Sequence, residues 1–281
     1  MLCCAPCYRA PWGRPSHTGG GLSNILAQLE ESPLKRCLTC LFLALCSLSP
    51  LPATAVDDPR LARAPGSPAW LGAVGKLRVP GHRREGGEER HHIERCSATL
   101  VSQPGAARAE FILTAWHCLE WYDDLSQPIL FTLSANTGTG LQRTVRPLAS
   151  GGDMAADWAL LRLQEAVPLD GPWRALPLDG GRAGAEVGSL WMAGYSRSAP
   201  AGEGGARLTY HPGCRITRAE GAWTDTDCRA DKGASGGAVV RLDSRGGAHL
   251  TGVISAGNGS DMTRFVPVAA FAASLPVSLR R

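Results

Sequence analysis

Short apolar segments, broken every few residues by Gly, Pro or Asp, run through the chain from about residue 70 to its end. Ala73–Val79, Ala98–Val101, Phe111–Ala115, Ile129–Leu133, Trp158–Leu163, Ser189–Ala193, Gly237–Leu242, His249–Ile254 and Arg264–Val268 are rich in β-branched and aromatic residues. All are too short for stable helices, so they are predicted as strands. Only Ala269–Leu279 could form a helix, and Pro276 interrupts it. A Pro-, Gly- and Asp-rich stretch, Pro168–Gly184, divides the strands into two comparable groups. Many short strands with frequent turns predict an all-β sandwich or barrel, and two groups predict two barrels.

Composition removes several functional classes. A chain of 281 residues with 44% hydrophobic and 19% charged residues is not intrinsically disordered. The net charge of +4 is too small for a nucleic-acid partner. The densest basic cluster, His82-Arg83-Arg84, is followed at once by Glu85, Glu88 and Glu89 and reads as a solvated loop of mixed sign. No apolar run reaches the roughly 20 residues of a membrane-spanning helix, so no stable membrane insertion is expected.

The ten cysteines divide unevenly. Cys3, Cys4, Cys7, Cys37, Cys40 and Cys46 lie in a segment with the anatomy of a secretory signal. Lys35-Arg36 is its basic region, Cys37–Leu48 its apolar stretch, and Ala53-Thr54-Ala55 its cleavage site after Pro50 and Pro52. Leu45, a bulky residue directly before Cys46, argues against lipid attachment. Residues 1–34 have no hydrophobic period, and an over-extended start explains them better than a long leader does. The protein is therefore expected to be secreted or periplasmic, with residues 1–55 removed and 56–70 forming an irregular lead-in. Cys96, Cys118, Cys214 and Cys228 remain, an even number that suggests two disulfides in an oxidising compartment.

Three signatures carry chemistry. His117 ends a strand in Ile112-Leu113-Thr114-Ala115-Trp116-His117-Cys118, Asp157 opens the apolar strand Trp158–Leu163, and Ser235 sits in Lys232-Gly233-Ala234-Ser235-Gly236-Gly237. Each alone has an ordinary structural reading as a buried histidine, a turn aspartate or a flexible loop. Together they are the groups a serine nucleophile requires. An imidazole takes the hydroxyl proton, a carboxylate fixes the tautomer, and small residues let backbone N–H groups reach the oxyanion. Asp153 competes with Asp157, but the apolar strand begins directly after Asp157.

These signatures, with Ala73-Val74-Gly75 ahead of Cys96-Ser97-Ala98-Thr99-Leu100-Val101, make residues 71–275 resemble a chymotrypsin-fold serine protease. The nearest likeness is to the secreted bacterial branch that includes the glutamyl endopeptidases. The resemblance implies an all-β fold of two six-stranded antiparallel β-barrels with a short C-terminal helix. Residues 71–167 would form the first barrel, 168–185 a linker, and 186–281 the second barrel and terminal segment. It further implies that His117 is the general base, Asp157 the orienting acid and Ser235 the nucleophile, with Gly233 and Ser235 supplying the oxyanion N–H groups. Disulfides Cys96–Cys118 and Cys214–Cys228 follow from the same likeness. So does a substrate pocket formed by Arg229, Ala230, Ser255, Ala256 and Gly257. Were Arg229 to face that pocket, an acidic side chain would suit its guanidinium fork; were it to turn away, the pocket would be lined by small residues.

The chain departs from the family where Trp116 replaces the usual Ala, and where Ala234 replaces the Asp that pairs with a cut N-terminus in animal relatives. Removal of the signal is therefore expected to suffice for activity. A protein or peptide substrate, a monomeric state, and no cofactor or metal are expected. Three other readings compete. One is a protease-like domain that only binds. Another is the α/β-hydrolase elbow, which Gly233-Ala234-Ser235-Gly236-Gly237 matches, although His249 is the only histidine after it. The third is a metal site at His91, His92, Glu94 and Cys96.

Overall fold

The computed structural model describes residues 58–134, 138, 140–179 and 190–280. The leader expected at residues 1–55, with its six cysteines, lies outside these residues, as do residues 180–185 of the expected linker. Among the described residues no helix is long and apolar enough to cross a membrane.

Six strands close into an antiparallel barrel: β2 (Val74–Glu85), β3 (Glu88–Val101), β4 (Arg108–Thr114), β5 (Ile129–Ser134), β6 (Gly140–Ser150) and β7 (Ala159–Pro168), in the order β2-β3-β4-β7-β6-β5. Alternation sets its inside. Along β5, Ile129, Phe131 and Leu133 are buried while the residues between them are half-covered. The Phe131 ring fills the space beside β2 only because Gly75 has no side chain; a Cβ there would lie 2.5 Å from the ring. Leu77, Leu100, Ile112, Leu113, Leu160 and Leu161 complete a fully buried interior. Removing each such side chain from water contributes about 1.5–3 kcal/mol.

The solvated loop expected at His82–Arg84 is instead the outer part of β2. It pairs with β3 residue for residue out to Glu85↔Glu88. Gly86 and Gly87 turn the hairpin with φ of 62° and 89°, the positive values a two-residue hairpin turn needs. Mixed charge marks a solvated face, and here that face belongs to a projecting ladder.

The remaining strands form one eight-stranded sheet in the order β1-β9-β8-β12-β13-β14-β11-β10. They are β1 (Leu61–Ala62), β8 (Leu190–Gly194), β9 (Thr209–Cys214), β10 (Ile216–Glu220), β11 (Trp223–Thr226), β12 (Ala238–Leu242), β13 (Ala248–Gly257) and β14 (Thr263–Pro267). This corrects the expectation of a second closed six-stranded barrel. Strands β9 and β10 are one path of chain interrupted at Arg215. The first part pairs with β8 and the second with β11. At the interruption the ladder is replaced by local links. Asp227 N–H donates to the Arg215 carbonyl at 3.1 Å and Arg215 N–H to the Asp227 carboxylate at 2.6 Å. The Cys214–Cys228 disulfide, with Cα atoms 5.2 Å apart, stands beside them. The lead-in is also not wholly irregular, because Leu61 and Ala62 pair with Tyr210 and Thr209 on the outer edge of β9.

Both faces of this sheet are apolar, and the period of two separates them. Ala193, Ala238, Val240, Val253 and Val266 join the large core shared with the first barrel. Leu190, Met192, Val239, Ile254 and Phe265 enclose a smaller core with the second disulfide. The terminal helix expected over Ala269–Leu279 is instead three short pieces, the helix Val268–Phe271, the 3-10 turn Ala272–Ser274 and, beyond Pro276, the helix Val277–Arg280. Phe271 stacks on Trp158 with ring centroids 4.7 Å apart, bracing the residue next to Asp157.

Candidate active site

Strand β4 ends at Thr114, and the 3-10 turn Trp116–Leu119 that follows carries His117. Cys118 in this turn is bridged to Cys96 on β3, across 22 residues of chain, which fixes the turn against the barrel. Asp157 lies two residues before β7 and has no solvent exposure. One of its oxygens accepts the His117 backbone N–H at 2.9 Å, and the other meets His117 Nδ1 at 2.8 Å. A carboxylate held at both points can face only one ring nitrogen. The proton therefore sits on Nδ1, leaving Nε2 free to accept.

Asp153, the competing acid, has other work. Its side chain accepts the backbone N–H groups of Ala155 and Ala156 at 2.8 and 2.9 Å and caps the 3-10 turn Met154–Ala156. It is exposed, whereas Asp157 is not. The cap ends the turn just where Asp157 must enter the interior.

Ser235 comes from the other half of the molecule. Its hydroxyl donates to the Ser255 carbonyl at 3.4 Å, and no hydrogen bond joins it to His117 among the described residues. Ser255 in turn donates its own hydroxyl to Asp157 at 2.5 Å. One residue of β13 thus touches both the acid and the serine. The sequence pointed to Ser255 only as a pocket residue. Ser97 has a similar bridging place; the sequence showed it only as part of the Cys96–Val101 motif and gave it no role of its own. Its N–H donates to the Ser235 carbonyl and its hydroxyl to the Gly233 carbonyl, both at 2.8 Å.

The loop around Ser235 is fixed by what it lacks room for. Gly233 has φ of 94°, and a Cβ there would lie 2.5 Å from the Tyr195 carbonyl. Gly236 has φ of 81°, and its Cβ would collide with Thr114 Oγ1 and the Ser97 carbonyl. Ala234, Gly236 and Gly237 donate their N–H groups to Asp231, Ile254 and Ala234. The N–H groups of Gly233 and Ser235 have no acceptor among the described residues. Two unengaged donors two residues apart are what an oxyanion hole needs.

The charges in the site reinforce one another. Burial works to lower the His117 pKa, but the Asp157 hydrogen bond and the charges of Asp157, Glu94 and Glu120 raise it above the usual value. Burial works to raise the Asp157 pKa, and it is outweighed by the hydrogen bonds and charge of His117 and the hydroxyl of Ser255, so the carboxyl is held low.

Beside Ser235 lies a pocket of about 280 Å³. Ala230, Ser255, Ala256 and Gly257 line it, together with Asp231. Arg229 does not, which corrects its placement in the substrate pocket. Its backbone N–H donates to His211 Nδ1 at 2.8 Å, and its guanidinium lies 4.0 Å from Asp58. Asp58 is held there by bonds of 2.9 and 2.6 Å from the buried Arg60. The lead-in thus supplies the carboxylate that draws Arg229 away.

The metal-ligand alternative does not assemble. Cys96 is in a disulfide, and His92 pairs with Glu94 at 2.9 Å. His82, His91 and Asp124 do converge near the hairpin. Their atoms are engaged, however, His82 with Asp123 and Asp124 with Ser126 and Gln127.

No curated protein matches the chain. A family profile for the trypsin-like peptidase domain matches residues 96–247, more than half of the sequence and all three signatures. A closed β-barrel carrying a buried Asp157 bonded to His117, a facing sheet carrying Ser235 in a glycine-rich loop, and this match agree, and the chain belongs to the trypsin-like peptidase family.

Proposed function

We propose that the protein is a serine endopeptidase in which Ser235, His117 and Asp157 act as a triad. The observation that carries this reading is the buried Asp157 bonded to both His117 and Ser255, with Ser235 hydrogen-bonded to Ser255. In the Michaelis complex the Ser235 hydroxyl turns from the Ser255 carbonyl to His117 Nε2, a contact commonly loose in an empty site. Ser235 Oγ attacks the peptide carbonyl as its proton passes to Nε2. Asp157 stabilises the imidazolium without taking the proton. The Gly233 and Ser235 N–H groups hold the oxyanion. The imidazolium then protonates the departing amine, the C–N bond breaks, and an acyl-enzyme on Ser235 remains. Water, deprotonated by His117, attacks the ester carbon, releasing the acid and restoring the hydroxyl.

The acyl side chain before the cut enters the pocket of Ala230, Ser255, Ala256 and Gly257 beside Ser235. The two disulfides are compatible with an oxidising compartment, in keeping with a protein secreted or periplasmic after cleavage at Ala55 and acting as a monomer. The narrower kinship with the bacterial glutamyl endopeptidases rests on sequence motifs alone, and Arg229 lends it no support.

Labelling with a serine-directed fluorophosphonate tests the assignment. The purified protein is expected to gain one adduct, mapped by mass spectrometry to Ser235 and lost on denaturation beforehand. A folded protein that takes no label would make it a protease-like domain that only binds.

A further inference from the structure

A second cavity, of about 370 Å³, reaches Gly233 and shares no lining residue with the pocket beside Ser235. Four cations converge on it: Lys76 and Arg78 from β2, Arg95 from β3, and Arg197 after β8. Lys76 and Arg78 are two apart on a strand and so share a face. Among the described residues no Asp or Glu lines this cavity. Elsewhere arginines of this protein find carboxylates, as Arg162 does with Glu110 and Arg264 with Asp225. These four do not. Arg78 donates to the neutral Gln127 at 3.2 Å, and Arg197 to the Arg95 carbonyl at 3.4 Å. Lys76 Nζ lies 4.9 Å from the centre of the Tyr195 ring. The Arg95 guanidinium has no partner among the described residues. Burial pushes the Lys76 pKa down, the sign of a charge drawn from water without a counter-ion.

The place of the cavity relative to the reacting bond follows from proton transfer. His117 must protonate the leaving amine, so the leaving chain departs on the histidine's side. Cys96 lines the cavity and is bridged to Cys118, the neighbour of His117. Ser97, next to Cys96, holds the Ser235 and Gly233 carbonyls. The cavity therefore opens beside the nucleophile. An extended chain advancing about 3.4 Å per residue reaches it within a few residues.

We propose that this cavity is a carboxylate subsite on the leaving-group side, taking an acidic side chain or a chain-terminal carboxylate within the first three residues after the cut. The inference rests on the serine-peptidase reading above. Guanidinium forks hold carboxylates at two points, and four uncompensated cations in a concave wall favour the anion over its neutral isostere. The pocket beside Ser235, where Asp231 and Lys232 offset each other, lacks this bias.

A peptide library tests it, varying the three positions after the cut among Glu, Gln and Lys, each with free and amidated C-termini. At one position Glu is expected to exceed Gln by about tenfold in kcat/KM, shrinking to about twofold in 0.5 M NaCl. A gain confined to free C-termini would assign the subsite to the terminal carboxylate; a gain in amidated peptides assigns it to the side chain. Arg197→Glu, or Arg95→Glu should the first fail to fold, is expected to reverse the order in favour of Lys. Cleavage with equal rates for Glu, Gln and Lys at all three positions would overturn the subsite and leave the peptidase standing. Should the protein neither cleave nor take the fluorophosphonate, fluorescence anisotropy with labelled Glu and Gln peptides decides the subsite separately. Salt-sensitive preference for Glu lost in Arg197→Glu would support it, and equal binding would overturn it.

Discussion

The two halves of this molecule solve the closure of a sheet differently. In the first barrel every strand has a hydrogen-bonded neighbour on both sides, and a single alternating pattern gives one inside. In the second, the path through β9 and β10 breaks at Arg215. The gap is bridged by the Arg215–Asp227 bonds and the Cys214–Cys228 disulfide. The division of chemistry follows. The closed barrel fixes His117 and Asp157, whose mutual geometry the proposed mechanism requires in every step. The more open sheet carries Ser235, Gly233 and the pocket, where the proposed mechanism admits substrate. Ser97 and Ser255 tie the two together across the site.

The largest expected effect tests whether the halves act as one unit. Ser235→Ala removes the proposed nucleophile from the second half, and His117→Ala removes the proposed base from the first. Each is expected to lower kcat by about 10⁴–10⁶, and the double variant by little more than either. Steady-state assay with a peptide substrate measures this. Additive losses would mean that the residues do not share a reaction step.

The disulfides give an intermediate effect and test closure directly. By loop entropy each contributes about 3 kcal/mol, since they span 22 and 14 residues. The replacement Cys214→Ser with Cys228→Ser is nevertheless expected to cost more than Cys96→Ser with Cys118→Ser. In the second sheet no continuous ladder takes over where the bridge is lost. Denaturant melts give the two costs, and hydrogen exchange should localise the greater loss to β9, β10 and β11. Equal costs would remove the distinction drawn between the halves.

The smallest effect concerns pH and separates chemistry from fold. The proposed mechanism needs a neutral His117, whose pKa is raised above 6.5. The rate is therefore expected to fall about tenfold per pH unit below a midpoint higher than 6.5. Stability has the opposite sign. A raised His117 pKa adds stability that is complete below its unfolded value and lost as pH rises through the folded one. A depressed Asp157 pKa adds stability that is complete above 3.8 and lost as pH falls through its folded value. Between these limits the pair is fully charged, so at pH 5 the protein should have lost most of its activity and still be folded. A rate that falls together with circular dichroism would show that unfolding sets the acid limb.

Much of the first barrel was legible in the chain because its strands alternate cleanly, as Ile129, Phe131 and Leu133 do. The strands that escaped notice lack that signal. Strand β6 carries Pro147 among polar residues, β9 ends in Pro212-Gly213-Cys214, and β10 is exposed at every position. They are strands because neighbours supply the ladder. The glycines flanking Ser235 could be read as a tight loop, whereas the collisions that require them come from Tyr195, Ser97 and Thr114, distant in the chain.

The sequence by itself determined the class of fold, the three residues grouped at the site, and the number of cysteines available for pairing. These depend on local properties: period, turn residues, and side chains whose chemistry is the same wherever they stand. The tertiary structure alone decided where charges point. Arg229 turns from the pocket because Asp58, held by Arg60, lies on its other side. Asp157 lies inside and Asp153 outside because one bonds His117 and Ser255 while the other caps a turn. Lys76, Arg78, Arg95 and Arg197 became one wall only when three segments of chain met beside Gly233. A charged side chain takes its direction from the partner that best offsets its desolvation, and folding brings that partner from a distant part of the chain.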